Sequence, residues 1–242
     1  MSKLLKDKGI VVRTFKYGET SVILDILTEV HGLGSFILQG VRKSKSRTSP
    51  SSIQLAASVD LDFYMKENTD LHQLKELKVN TIRTSIYSDI RKIALCMFLS
   101  ELTRRMLNKY ENHQLEFSLL QSVLDDLEAN DDNWSIHIWY LIRLLEISGF
   151  SLLKHRVHPE YYYDIPSDTI TSNRPLHHSY LSGYDMITLT QLNQADVRQV
   201  SLFKPKRDER NRLVEKLLDF LKVHISGFQH IQSFDVLKSV FE

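Results

Sequence analysis

The hydrophobic period of this chain changes near Asn80, and this change constrains the fold more strongly than any single motif. Before that point, apolar and polar residues alternate over short runs. Val59, Leu61 and Phe63, for example, are separated by aspartates, as in a strand with one buried face. After that point, apolar residues recur every three or four positions, as on one face of a helix. The sequence therefore predicts an α+β multidomain fold in which the strands precede the helices.

The first part of the chain, residues 1–80, contains five strand-like segments that are rich in β-branched and aromatic residues. Gly18 and Glu19 provide a turn signal between the first two. The segments are "GIVVRTFKYG", "TSVILDILTE", "SFILQGV", "SVDLDFYMK" and "LHQLKELKV". Five short strands predict a small all-β barrel. The oligonucleotide-binding (OB) barrel has that strand count, but periodicity alone does not separate it from an SH3-like barrel.

The second part, residues 81–242, has helical periodicity and predicts an antiparallel bundle. Its first helix is expected over residues 83–109, with an apolar face formed by Ile82, Ile86, Ile90, Ile93 and Met97 and a neighbouring stripe that contains Phe98. Further helices are predicted in "LEFSLLQSVLDDLEAN", "DDNWSIHIWYLIRLLEISGF", "LTQLNQADVRQV", "KPKRDERNRLVEKLLDFLKVHISGF" and "SFDVLKSVF". Residues 150–185 are predicted to be an irregular insert.

Composition and charge exclude several classes of protein. The formal charge is +1, so any binding to a polyanion must depend on where the cations lie. The single cysteine, Cys96, lies in an apolar run, which excludes a disulfide framework and fits a reducing compartment. The first residues are too polar for a signal peptide, and no apolar run approaches the ~20 residues of a membrane helix. We therefore expect a cytoplasmic protein that does not associate with membranes.

Catalytic and metal-binding motifs are weak or absent. The sequence contains no catalytic triad signature, P-loop, GxGxxG or HExxH motif, so we predict no enzyme and no catalytic residue. His155 and His158, followed by the adjacent His177 and His178, resemble a zinc site only in outline, because their spacing is unusual and no cysteine is near. We interpret them as surface histidines and predict no metal and no other cofactor.

A cluster of cations follows the third predicted strand, in "FILQGVRKSKSRTSPSS". Arg42, Lys43, Lys45 and Arg47 lie within six positions without an interleaved acid, and the hydroxyl side chains among them suit phosphate oxygens. The pattern alone leaves a solvated loop and a DNA-binding loop as equal alternatives. The candidate DNA-binding residues are Arg42, Lys43, Lys45 and Arg47, together with Arg13 and Lys16 of the first predicted strand.

The segment "QGVRKSKSR" resembles the basic signature of the RecO family of bacterial DNA repair proteins. The upstream text "GIVVRTFKYGETSVILDILTEVHGLGSFILQG" is similar to the opening of that family, and "FLSELTRRML" and "IWYLIRLLEISGF" are similar to its helical segments. The resemblance is dense before Arg47 and patchy beyond it.

This resemblance implies an amino-terminal five-stranded OB-type barrel, a carboxy-terminal α-helical domain and no catalytic turnover. It further implies binding of single- and double-stranded DNA, annealing of complementary strands and binding to the acidic carboxy-terminal tail of the single-stranded-DNA-binding protein SSB. With RecR, such proteins help RecA load onto SSB-coated single strands. By position, Arg42, Lys43, Lys45 and Arg47 match the basic signature and are implied to contact DNA.

The chain departs from the family pattern in two places. Many members carry a four-cysteine zinc knuckle in the helical domain, whereas residues 150–185 contain no cysteine. We expect tyrosines and prolines, among them Tyr161, Tyr162 and Tyr163, to pack in its place. The family's Pro-Phe after the basic loop is replaced here by "SIQLAASV".

The SSB tail is short and acidic and ends in an aromatic residue, so its receptor needs an apolar pocket beside a cation. Trp139, Tyr140 and Arg143 lie on the segment that aligns with the family's pocket helix. The alternative is that the two aromatics belong to the bundle core and Arg143 is a surface residue. For the whole chain we predict a recombination mediator, and the alternative is a non-enzymatic protein-interaction adaptor whose barrel does not bind DNA.

Overall fold

The computed structural model describes residues 3–41, 53–65, 69–150, 152 and 158–241. The chain divides into two compact units, Met1–Glu128 and Ala129–Glu242. The described part of the first unit begins with the long strands, which end at Thr81. Three helices follow these strands. The change from strands to helices therefore lies inside the first compact unit, which extends beyond it.

The five long strands form a closed barrel in the order β1-β2-β3-β5-β4. Neighbouring strands are antiparallel except β3 and β5, which pair in parallel. The strands are β1 (Lys3–Tyr17), β2 (Ser21–Thr28), β3 (Gly32–Leu38), β4 (Ser58–Met65) and β5 (His72–Thr81). This confirms the predicted OB-type barrel.

The interior of the barrel is filled by side chains that alternate along the strands. On β4, Val59, Leu61 and Phe63 are buried, as their alternation with aspartates predicts. The ring of Phe63 meets that of Phe36 edge to face, with 5.0 Å between ring centroids. The core also contains Val11, Val22, Leu24, Ile26, Leu74 and Leu77.

Strand β1 is longer than predicted because its two halves have different partners. Residues Lys3–Ile10 pair with β4, and residues Gly9–Tyr17 pair with β2. Where the two pairings overlap, a Cβ atom on Gly9 would lie 2.3 Å from Cγ2 of Ile26, so only glycine fits without a shift. Beyond this point β1 continues with β2 as a hairpin, and its residues are exposed from Arg13 onward.

The helices of the first unit are α1 (Thr84–Ser88), α2 (Ile90–Met106) and α3 (Gln114–Ala129). The single helix predicted from residue 83 is wrong, because Asp89 adopts an extended conformation and its side chain caps α2 by accepting a hydrogen bond from the backbone of Arg91. The predicted buried face is also wrong in part. Ile90 and Met97 are exposed, and the neighbouring stripe that contains Phe98 is buried.

The segment between α2 and α3 adds to the barrel along the first half of β3. Lys109 and Leu33 form an isolated parallel bridge, and the backbone N–H of Tyr110 donates to the carbonyl of Leu33 at 3.0 Å. The hydroxyl of Tyr110 donates to the carbonyl of Asp70 at 2.8 Å. The part of the β3 edge that does not pair with β5 is therefore partly occupied by this segment.

Gly32, at the start of β3, is expected to tolerate no side chain. An added Cβ would lie 1.8 Å from the carbonyl oxygen of Glu111, and φ is +70°. We expect Gly32→Ala to lower the free energy of unfolding by about 3 kcal/mol or more, because a backbone clash adds to the left-handed conformation. Gly18→Ala is the matched control. Gly18 has φ of +60° and no described atom within 4 Å of the added Cβ, so the expected loss is about 1 kcal/mol. Equal losses in urea unfolding would contradict the steric argument.

Among its described residues, the second unit contains four α-helices, a 3-10 helix (Val197–Leu202) and a three-stranded antiparallel sheet in the order β7-β6-β8. The elements are α4 (Ile136–Ile147), β6 (Tyr162–Asp164), β7 (Thr169–Thr171), β8 (Tyr180–Ser182), α5 (Gly183–Gln194), α6 (Arg207–His224) and α7 (Gln232–Val240). The irregular insert predicted over residues 150–185 thus contains a small sheet. Tyr163 packs inside the unit and donates to Asp168 at 2.5 Å, whereas Tyr161 is exposed.

Candidate nucleic-acid interface

The outer face of the β1–β2 hairpin is set by the strand register. Leu24 and its alternating neighbours on β2 point into the barrel core, so Ile23 and Asp25 point away from that core, although both are buried. Arg13 pairs with Asp25, and Phe15 pairs with Ile23. Because cross-strand partners share a face, Arg13, Phe15 and Tyr17 form one outward-facing row, called here the outer hairpin row.

Two rings of the outer hairpin row are open to solvent. Phe15 is 39% exposed and Tyr17 is 52% exposed. The guanidinium carbon of Arg13 lies 4.9 Å from the ring centroid of Phe15, a cation–π contact. Exposed rings beside a cation on an OB barrel are the arrangement on which bases of a single strand stack. Neither ring is among the residues predicted from the sequence, although both alternate with Arg13 in "RTFKY" and are therefore expected on its face of the strand.

Arg13 is held in place by Asp25, whose carboxylate is buried. Its Nε donates to Oδ2 of Asp25 at 2.7 Å, and the hydroxyl of Ser35 on β3 donates to Oδ1 at 2.7 Å. Arg104 of α2 approaches the same carboxylate, with Nη1 4.0 Å from Oδ2. The contact between Arg13 and Asp25 is thus part of a small polar network across three strands and one helix.

The structure does not place Lys16 on the same face as Arg13. The two residues are three positions apart on a strand, and Lys16 pairs with Val22, a residue of the barrel core. Both side chains are exposed. The first strand therefore presents its two candidate cations on opposite faces.

Arg42, Lys43, Lys45 and Arg47 lie outside the described residues. The residues on either side of the interval are described, and both are buried in the barrel core: Val41 before it and Ile53 after it. The two described residues that flank the cationic segment therefore both belong to the barrel core.

The three candidate residues for partner binding lie on α4, but they do not line one exposed pocket. Tyr140 is fully buried, and Trp139 is buried and donates through Nε1 to the carbonyl of Ala195 at 3.1 Å. Arg143 is partly exposed and donates to Oε2 of Glu146 at 2.9 Å. Of these three side chains, only Arg143 is available at the surface.

The histidines considered as metal ligands are separated by other contacts. His155 lies outside the described residues. His177 faces Asp164, with 3.2 Å between Nε2 and Oδ2, and the ring of His158 lies against Tyr161. No group of three or more metal-ligating side chains occurs among the residues that the structure describes. Within those same residues, no helix is both long and apolar enough to cross a membrane.

A closed five-stranded OB-type barrel followed by a mostly helical region defines the class of this chain. Two family models match consecutive parts of the sequence. The model described as "Recombination protein O N terminal" matches residues 1–83. The model described as "Recombination protein O C terminal" matches residues 87–156. The chain belongs to the RecO family, as its resemblance predicted, and its role therefore lies in DNA repair and recombination.

Similar proteins cover the whole chain. A DNA repair protein RecO from Bacteroides fragilis is 32% identical over 243 residues, covering 99% of this chain and 100% of its own length. The DNA repair protein RecO of Azobacteroides pseudotrichonymphae is 25% identical over 240 residues, with 99% and 100% covered. That of Phocaeicola vulgatus is 28% identical over 240 residues, with 98% and 99% covered.

Proposed function

We propose that this protein binds single- and double-stranded DNA, anneals complementary strands and helps load RecA onto SSB-coated single strands. It acts by binding and remodelling, without catalytic turnover. The observation that supports this proposal best is the outer hairpin row, where the exposed rings of Phe15 and Tyr17 lie beside Arg13 on an OB-type barrel.

In this mechanism the barrel holds a single strand by two kinds of contact. Phe15 and Tyr17 stack on bases, which requires no particular sequence because every base has a π-face. Arg42, Lys43, Lys45 and Arg47 neutralise phosphates and release counterions, which makes affinity depend on salt. Neither contact reads base edges, so complementary strands of any sequence are suitable substrates for annealing.

The helical region is proposed to dock the acidic tail of SSB, with RecR as a further partner. Arg143 is the cation that supports a docking site on α4, because its side chain reaches the surface. Glu146 accepts from both Arg143 and the side-chain amide of Asn193. A carboxylate of the tail would therefore compete with Glu146 for Arg143.

Replacing Phe15 and Tyr17 by leucine tests the stacking contact. We expect single-strand binding to weaken by about 1–3 kcal/mol for each base that is no longer stacked. The dependence of affinity on salt should stay unchanged, because no charge is removed. The measurement is a salt titration of a fluorescent oligothymidine with wild type and variant.

Leu4→Ala is the control for the leucine variant, since Leu4 is an exposed apolar residue of β1 outside the hairpin. It is expected to bind as wild type does. If the leucine variant binds as tightly as wild type, the stacking role is wrong. If wild type binds an SSB tail peptide but no DNA at any salt concentration, the protein is an adaptor and the proposed function is wrong.

A further inference from the structure

Arg104 lies at the barrel surface, although it is far from the barrel strands in sequence. It belongs to the last turn of α2, and its Nη1 is 4.0 Å from Oδ2 of Asp25 on β2. Its side chain is 22% exposed, and its Nε is buried without a hydrogen-bond partner among the described residues. A buried donor without an acceptor is uncommon in folded proteins, so this guanidinium is not fully satisfied by the described residues.

The charges around Asp25 do not balance. Two guanidinium groups, those of Arg13 and Arg104, face one carboxylate, and that carboxylate already accepts from Arg13 and Ser35. The pKa of Arg104 is lowered, first by burial and next by the positive charge of Arg13. A second anion between the two guanidinium groups would relieve this repulsion.

Glu101, an acid on α2, does not supply the missing negative charge beside Arg104. The charge of Glu101 also raises the pKa of Arg104. Glu101 pairs with Arg105, however, with 3.8 Å between the charged atoms. The last turn of the helix therefore carries two adjacent cations. Arg104 approaches the carboxylate of Asp25, and Arg105 approaches that of Glu101.

The surroundings favour a phosphodiester over the carboxylate of a peptide. Arg13 lies over the ring of Phe15, and that ring is partly open to solvent. A nucleotide offers a base to stack on the ring and a phosphate to meet the cations. A guanidinium fork also matches two phosphate oxygens at once.

We propose that Arg13 and Arg104 together bind one phosphate of a single DNA strand, with the adjoining base stacked on Phe15. This site rests on the proposed function, since it assigns one phosphate contact of a DNA-binding protein. It adds a residue of α2 to the barrel interface, so a single strand would touch both β1 and α2.

Salt titrations of oligothymidine binding by Arg13→Gln, Arg104→Gln and the double variant test this site. One phosphate contact on a single strand contributes about 0.7 to the slope of log affinity against log salt. If both residues bind the same phosphate, the double variant should lose about 0.7 in total, whereas two separate contacts would lose about 1.4. Arg104→Lys keeps the charge and should restore part of the slope.

Arg91→Gln is the matched control. Arg91 is on the same helix, half-exposed and paired with Asp89, and a rise of about 1.5 Å per residue places it roughly 20 Å from Arg104. It should leave the slope unchanged. An unchanged slope in the double variant, or a loss of about 1.4 in it, would overturn the shared site while wild-type DNA binding persists. Binding of an acidic peptide but not DNA at Arg104 would also overturn it. A wild type that shows no salt-dependent DNA binding would instead refute the proposed function.

Discussion

Replacing Arg42, Lys43, Lys45 and Arg47 by alanine is expected to weaken single-strand binding on the order of a thousand-fold at about 50 mM salt. Each lost phosphate contact removes about 0.7 from the salt slope, so four contacts remove about 3. The affinity difference between wild type and variant should shrink as salt rises, because counterion release contributes less in concentrated salt. A salt titration with oligothymidine measures both the slope and the affinity.

The control for this variant keeps the four charges and changes only their chemistry. Exchanging arginine for lysine, and lysine for arginine, at the four positions should preserve the slope, because neutralisation of phosphates depends on charge. Thermal unfolding of the alanine variant should match that of wild type. A variant with four alanines that binds DNA as tightly as wild type would show that the basic segment is not the phosphate site.

Acidification is expected to destabilise the second unit through His137 on α4. This side chain is buried, and burial, followed by the charge of Arg210, lowers its pKa to about 3. The unfolded chain takes up a proton near pH 6.5, whereas the folded unit does not until about pH 3, so stability is lost as pH falls between these values. At pH 4 the expected loss is about 3 kcal/mol.

His137→Gln should remove that loss, because glutamine does not titrate. The chain has two tryptophans, and both Trp134 and Trp139 belong to the second unit, so urea unfolding followed by tryptophan fluorescence reports on this unit. His230→Gln is the control, since His230 is exposed and contacts Asp235. The idea fails if the stability difference between pH 7 and pH 4 is the same in His137→Gln as in wild type.

The barrel was predictable from sequence partly because β4 buries one face. The alternation of Val59, Leu61 and Phe63 is a direct consequence of that burial. The first half of β1 was missed because residues 3–8 are mostly charged and gain their structure from pairing with β4. The strands of the insert are three residues long, which is too short for a period to be recognised.

The predicted buried face of α2 was wrong in part because tertiary contacts outweigh local pattern. Ile90 and Met97 have helical spacing, but they are exposed because α2 packs through the neighbouring stripe. Trp139 and Tyr140 were natural candidates for an exposed pocket, and their burial is set by the helix's surroundings in the folded unit, such as the contact between Trp139 and Ala195.

One part of the candidate site was predictable from local sequence, and another part was not. Phe15 and Tyr17 alternate with Arg13 in a strand, so the sequence contained the information that places them on one face. Arg104 joins Asp25 only through folding, because a helix from a later part of the chain returns to the barrel. No local pattern encodes a contact of that kind.

The pairing of Lys109 with Leu33 has a consequence for how the family's regions relate to physical units. The two matched regions meet between residues 83 and 87, inside the compact unit that ends at Glu128. A fragment cut at that junction would lose the backbone partner of Leu33 and leave part of the β3 edge open to pairing with another chain. It would also separate Arg104 from Asp25. The region that the first family model matches and the compact unit that holds these contacts are therefore different lengths of chain.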